Sequence, residues 1–85
     1  MGITERKQRD KERRINEILD AAMRVFLDRD ISGTTVDAIA NAAEISKGTI
    51  YLYFKSKEEI AYALMLRDFR DVLAQLRERV SSAEN

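Results

Sequence analysis

The segment Lys47-Gly48-Thr49-Ile50-Tyr51-Leu52-Tyr53-Phe54-Lys55-Ser56-Lys57 holds the chemically distinctive side chains of this chain. Read as a short helix, it turns Ile50 and Phe54 inward as an i, i+4 apolar pair. Lys47, Thr49, Tyr51 and Tyr53 cannot all turn inward with them. The outward face is then an ammonium, a hydroxyl and two phenols, with Gly48 at the N-terminal turn. These groups match a DNA duplex. Lysine donates to guanine O6 or N7, or neutralises a phosphate. Thr and Tyr hydroxyls donate to phosphate oxygens, and their apolar parts meet a thymine methyl. Gly48 costs a helix roughly 1 kcal/mol relative to alanine, which makes sense where backbone must come close to another molecule. Lys57 falls in the first turn of a following helix, where a cation opposes the helix dipole. A phosphate there, accepting from backbone N–H groups and the ammonium together, relieves that conflict. The tyrosine face has a second reading, a helical protein-interaction module in which Tyr51 and Tyr53 dock a partner protein. Weak salt dependence and no DNA preference would mark it.

The rest of the composition argues against other chemistries. The 85 residues include no histidine and no cysteine. The commonest general base, the commonest metal ligand and any disulfide framework are therefore absent. No spacing pairs a nucleophile with a base, and no phosphate-binding loop or metal cluster occurs, so neither an enzyme nor a cofactor is expected. No apolar stretch approaches a membrane span, and the N-terminus lacks the apolar segment of a signal peptide. The expected location is cytoplasmic.

Local patterns supply the elements that position the segment. Residues 1–14 alternate charge without an apolar stripe and read as a basic arm or frayed helix start. From Ile15 an apolar face begins: Ile15, Ile18, Leu19, Ala22 and Phe26. Asp28-Arg29-Asp30 and Ser32-Gly33 end it. Thr34-Thr35 is a strong N-cap site, and Val36, Ile39, Ala40 and Ala43 make a stripe about two turns long. Ile45 is apolar in the turn that follows, and Ser46 caps the short helix of Ile50 and Phe54. Ser56-Lys57-Glu58-Glu59 matches a capping box. A long helix then carries Ile60, Leu64, Val72, Leu73, Leu76 and Val80, with Ser81 to Asn85 reading as a frayed end. Two short helices joined by a tight turn form the helix-turn-helix unit, and the long helices supply the core they lack. Phe26, Ile39, Ile45, Ile50 and Phe54 read as core only.

Net charge is zero, but its distribution is uneven. Residues 1–14 sum to +3, residues 15–43 to −3, residues 44–57 to +2 and residues 58–85 to −2. Two basic blocks separated by acidic helices suit a protein that meets a polyanion with one face. Arg6, Lys7, Arg9, Lys11, Arg13 and Arg14 of the first block read as solvated, adding at most nonspecific phosphate attraction.

The stretch from Thr34 to Ala40, and then Ala43-Glu44-Ile45-Ser46-Lys47-Gly48-Thr49-Ile50-Tyr51-Leu52-Tyr53-Phe54-Lys55-Ser56-Lys57-Glu58-Glu59, resembles the N-terminal DNA-binding domain of the tetracycline-repressor (TetR/AcrR) family. The likeness in pattern extends from about Ile15 to Leu64. It implies a ligand-responsive transcription regulator, usually a repressor, binding a palindromic double-stranded DNA operator as a homodimer. It puts Lys47, Gly48, Thr49, Tyr51 and Tyr53 at the DNA and Lys57 on a phosphate. Thr35 caps its helix and, in that family, lies near the DNA backbone. Glu44 stands where the family usually has a turn glycine, and Asp30 where a glycine normally ends the first helix. Family members are longer, with a C-terminal domain that holds a small-molecule effector and the dimer interface. The expected architecture is all-α: a homeodomain-like helix-turn-helix domain with a long fourth helix leading to that absent domain. The expected divisions are a basic arm or helix start over 1–14, the DNA-binding domain over 15–56 and the connecting helix over 57–85.

Overall fold

A computed structural model describes residues 2–84, with side chains as far as residue 81. Four helices follow in order: α1 (Ile3–Arg29), α2 (Val36–Ala43), α3 (Lys47–Tyr51) and α4 (Lys57–Glu84). There is no strand among the described residues. None of these helices is long and apolar enough to cross a membrane. Helix α4 runs on to Glu84, past Ser81 where the sequence predicts a frayed end.

Three hydroxyls start the three later helices. Thr35 Oγ1 accepts from Ala38 N–H at 3.1 Å, Ser46 Oγ from Thr49 N–H at 3.1 Å and Ser56 Oγ from Glu59 N–H at 3.2 Å. Each satisfies one of the orphan donors of a helix N-terminus. Thr34, its neighbour in sequence, has a different role. It is buried and donates from Oγ1 to Asp30 O at 2.6 Å, closing the loop between α1 and α2.

Helix α1 starts at Ile3 and runs unbroken through the charged stretch, well before the apolar face begins at Ile15. The stretch lacks a stripe to bury but has pairs at helical spacing. Arg9 meets Glu5, Arg13 meets Asp10, Arg14 meets Glu17 and Gln8 meets Glu12. Such pairs each stabilise a helix by a few tenths of a kcal/mol, roughly 0.2–0.5, and stand in for packing.

The turn between α2 and α3 closes as a Schellman motif. Ile45 N–H donates to Ala40 O at 3.0 Å and Glu44 N–H to Asn41 O at 3.2 Å. Glu44 adopts the left-handed conformation this requires, with φ 60° and ψ 39°, and Ile45 packs on the core behind it. Asp30, the other non-glycine residue at positive φ (56°) among the described residues, ends α1. Its carboxylate accepts from Gly33 N–H and Ser32 Oγ–H, each at 2.9 Å. These bonds, Gly33 first, hold its pKa below the ordinary value of 3.8.

One small core joins the four helices. Ile18, Leu19 and Ala22 of α1, Ile39 and Ala40 of α2, Ile50 of α3, Phe54, and Ile60 and Leu64 of α4 form it. The sequence-level stripe of α4 is only partly used. Ile60 and Leu64 are buried, but Val72, Leu73, Leu76 and Val80 are open to solvent, as is Phe69 (60% exposed), which lies outside that stripe. A periodic stripe identifies an apolar face without saying what covers it. Polar clamps fix the helices where the core thins. Arg24 of α1 donates to Ala42 O of α2 at 3.2 Å, and Arg67 of α4 donates to Asp20 Oδ1 of α1 at 2.9 Å.

Candidate nucleic-acid interface

Helix α3 is short because its stripe is short. Ile50 alone is buried in it, and after Tyr51 the chain tightens into a final turn. There Tyr53 and Phe54 N–H both donate to Ile50 O at 2.9 Å, and Phe54 enters the core. The outward side of α3 carries Lys47, Gly48 and Tyr51, with Tyr51 48% exposed. The Lys47 ammonium lies 6.0 Å from the centroid of the Tyr51 ring, so the two form one patch. Thr49 is half-buried, and its hydroxyl shares a 2.8 Å hydrogen bond with Ser46 Oγ. That bond orients the threonine along the helix start. Tyr53 is half-buried against the core and lies just past the helix. Its ring is thus partly structural, while Tyr51 stands free. Leu52, 79% exposed, adds an apolar edge beside Tyr51 that the sequence reading did not single out.

Gly48 is not demanded by the interior. A Cβ added there would meet only Ser46 Oγ, at an ordinary 3.9 Å. Gly33 differs: a Cβ on it would lie 2.6 Å from Arg29 O, so the fold itself requires that glycine.

Three helix starts converge beside this face. Thr35 is exposed at the start of α2. Lys47 Nζ at the start of α3 lies 3.6 Å from Asp37 Oδ2 in the first turn of α2. Lys57 Nζ at the start of α4 donates to Thr34 O at 2.9 Å and to Ser32 O at 3.2 Å. Lys57 thus gains carbonyl partners within the fold. They offset the unfavourable position of a cation at a helix N-terminus. An ammonium has three donors, so one remains after the two carbonyls are served. The positive ends of α2 and α4 and two lysines therefore sit together, with Asp37 as the acidic exception.

Lys47 and Tyr51 share one patch, Lys47 pairs with Asp37 two residues past Thr35, and Lys57 is tied to the carbonyls of Ser32 and Thr34. Thr49 and Tyr53 sit at the margin, each with part of its surface engaged by the protein. The Asp37–Lys47 pair and the Lys57–carbonyl bonds were not legible, because ten or more residues separate the partners. An acidic residue in the first turn of α2 signals only a favourable dipole contact.

A family model described as bacterial regulatory proteins, tetR family, matches residues 18–64. Over 60 residues the chain is 45% identical to the HTH-type transcriptional repressor KstR2 of Mycolicibacterium smegmatis, covering 71% of this chain and 29% of that protein. Over 64 residues it is 39% identical to the fatty acid metabolism regulator protein of Bacillus subtilis, covering 75% of this chain and 31% of that one. The chain spans about a third of the length of these relatives. The solved structure of the fatty acid degradation regulator FadR from Bacillus halodurans superposes with a TM-score of 0.74 at 32% identity, covering 76% of this chain and 34% of FadR. The matched region takes in all of α2 and α3, the core of α1 and the first turns of α4. This chain belongs to the tetR family of bacterial regulatory proteins.

Proposed function

We propose that the chain is the operator-binding part of a transcriptional repressor, inserting α3 into the major groove of double-stranded DNA. The observation that carries this reading is the outward patch of Lys47 and Tyr51 beside the converging starts of α2 and α4. In this arrangement Lys47 reaches a guanine edge and Tyr51 reaches phosphate or a thymine methyl. Gly48 lets the backbone approach. Thr49 and Tyr53 contact the groove margin, Thr35 lies along the DNA backbone, and the remaining N–H of Lys57 meets a phosphate.

The regulator acts as a homodimer on a palindromic operator, with half-sites one helical turn or a multiple of it apart. Dimer contacts and a pocket for a small-molecule effector belong to a further domain, as the greater length of the relatives suggests. Residues 15–56 form the DNA-binding domain in this scheme, and residues 57–85 the connecting helix.

Selection of bound duplexes from a random pool at physiological salt tests the proposal. Enrichment of an inverted repeat is expected. Absence of any enriched sequence, also for a full-length regulator carrying this domain, would overturn it. Salt-independent capture of a protein by the Tyr51–Leu52 face would then replace it. Within the proposal, Lys57→Ala weakens binding alike on cognate and random DNA, whereas Lys47→Ala relaxes preference at one or two base pairs. Equal losses on both DNAs would remove the base-reading role of Lys47.

A further inference from the structure

Beyond α3, helix α1 carries a cationic line, two of whose three charges meet no carboxylate among the described residues. Lys7, Lys11 and Arg14 stand at i, i+4 and i+7, and Ile18, Ala22 and Val25 continue the same line. In its C-terminal half the line is core: Ile18 and Ala22 are fully buried. Val25 lines a groove against Thr35, Asp37 and Ala38 at the start of α2. The side of α1 turned toward α4 is different, carrying Glu12, Ile15, Asn16 and Leu19. One continuous helix therefore presents, on the side of α2 and α3, an apolar line where the domain covers it. Where α1 projects beyond, the same line is cationic.

Ion pairing sharpens the contrast. The carboxylates of this stretch fall off the line, and each has a partner: Glu5 with Arg9, Asp10 with Arg13, Glu12 with Gln8 and Glu17 with Arg14. Lys7 and Lys11 have no carboxylate partner among the described residues, and both are exposed; of the cations off the line, Arg9 and Arg13 are paired and Arg6 is not. A helix face in plain contact with water needs no such sorting of charge. One that lies along a polyanion gains from it.

We propose that Lys7 and Lys11 bind phosphates of the duplex read by α3, flanking the bases that α3 contacts. This rests on the reading of α3 as the element that enters the groove. It makes the N-terminal turns of α1 a second anchor, contributing affinity and orientation but no base preference.

The test compares Lys7→Ala/Lys11→Ala with Arg9→Ala/Arg13→Ala, which removes the same charge from the carboxylate-paired face. Binding to the selected operator is titrated at several salt concentrations, and circular dichroism checks that each variant remains helical. Alanine is the best helix former, which offsets the pairs with Glu5 and Asp10 that the Arg9/Arg13 variant gives up. Each phosphate neutralised contributes about −0.9 to the slope of log affinity against log salt. Losing two such contacts flattens the slope by about 1.8 per bound chain. That change narrows the loss of affinity between 50 and 200 mM salt by about 12-fold. The Arg9/Arg13 variant keeps a slope close to the original. Trimming base pairs outside the selected site weakens the unaltered protein and leaves the Lys7/Lys11 variant unaffected. Equal slopes for the two double variants, or for the Lys7/Lys11 variant and the parent, would overturn the inference while leaving DNA binding by α3 intact. Failure of the parent to bind any duplex would instead remove the underlying reading.

Discussion

Replacing Glu44 with glycine isolates one backbone cost in this fold. Glu44 holds φ 60° and ψ 39° at the end of α2, as the Schellman bonds of Glu44 and Ile45 demand. A left-handed conformation costs an L-residue roughly 1–2 kcal/mol. Glycine avoids that cost but leaves the unfolded chain more freedom, which offsets about 0.4–1 kcal/mol. The net gain for Glu44→Gly is about 0.5–1 kcal/mol. For a domain of this size that raises the melting temperature by about 2–8 °C. Thermal and urea unfolding followed by circular dichroism measure it. A rival explanation exists, because Glu44 lines a shallow hollow with Glu17, Asp20 and Arg24. Any gain could then reflect relief of acidic repulsion. Glu44→Ala separates the two, since it removes the charge but keeps the Cβ. If the backbone is the cause, Glu44→Ala stabilises little. Equal gains from alanine and glycine, or none from glycine, would refute the argument.

Gly48→Ala has effects of opposite sign on two readouts. Its Cβ meets only Ser46 Oγ, at an ordinary 3.9 Å, so stability rises by up to about 1 kcal/mol, while operator affinity falls because the close backbone approach is lost; unchanged affinity would remove that role. Lys57→Met keeps the aliphatic stem but removes the bonds to Ser32 O and Thr34 O. It lowers stability in urea titrations by about 1–3 kcal/mol, and an unchanged midpoint would refute the clamp. Asp37→Asn releases Lys47 from its 3.6 Å ion pair and removes a carboxylate beside the reading helix. Affinity for all duplexes rises by about 2–5-fold, in line with an exposed pair worth up to about 1 kcal/mol. The Asp30 carboxylate has a folded pKa below 3.8, so its contribution is complete above that value and disappears as pH falls through the lower folded pKa. Asp30→Asn therefore flattens the acid limb of the stability–pH curve and leaves its slope near neutrality unchanged.

Much of this architecture was legible because it rests on local chemistry. Thr35, Ser46 and Ser56 announced three helix starts through their position before apolar stripes, and all three accept the expected N–H bonds. Ile39, Ile50, Phe54, Ile60 and Leu64 showed helical spacing and are buried together. The long reach of α1 was not legible, since Ile3 to Arg14 have no stripe and their helix depends on charge pairs. Contacts made by folding also left no trace in sequence. Arg67 on Asp20, Lys57 on the carbonyls of Ser32 and Thr34, and Lys47 on Asp37 each join helices whose separation only packing sets. At the candidate site, residue types and spacing exposed Lys47 and Tyr51. They could not divide Tyr53 and Thr49 between core and surface, because both sit where α3 meets its neighbours.

The fourth helix is rooted at one end only. Its first turns hold Ile60 and Leu64 in the core, and Arg67 makes its last clamp to α1. From Asp68 to Ser81 every residue is exposed. Most helical stability comes from packing of an apolar face, and none of these residues packs on the core, so the distal turns of α4 do not share the cooperative unit formed by the core. Backbone amides before Arg67 open only with the whole domain, and those after Phe69 open by local unraveling at little cost in free energy. Amide exchange along α4 therefore falls into two classes, with the step between them at the Arg67 clamp, well inside the helix rather than at its end.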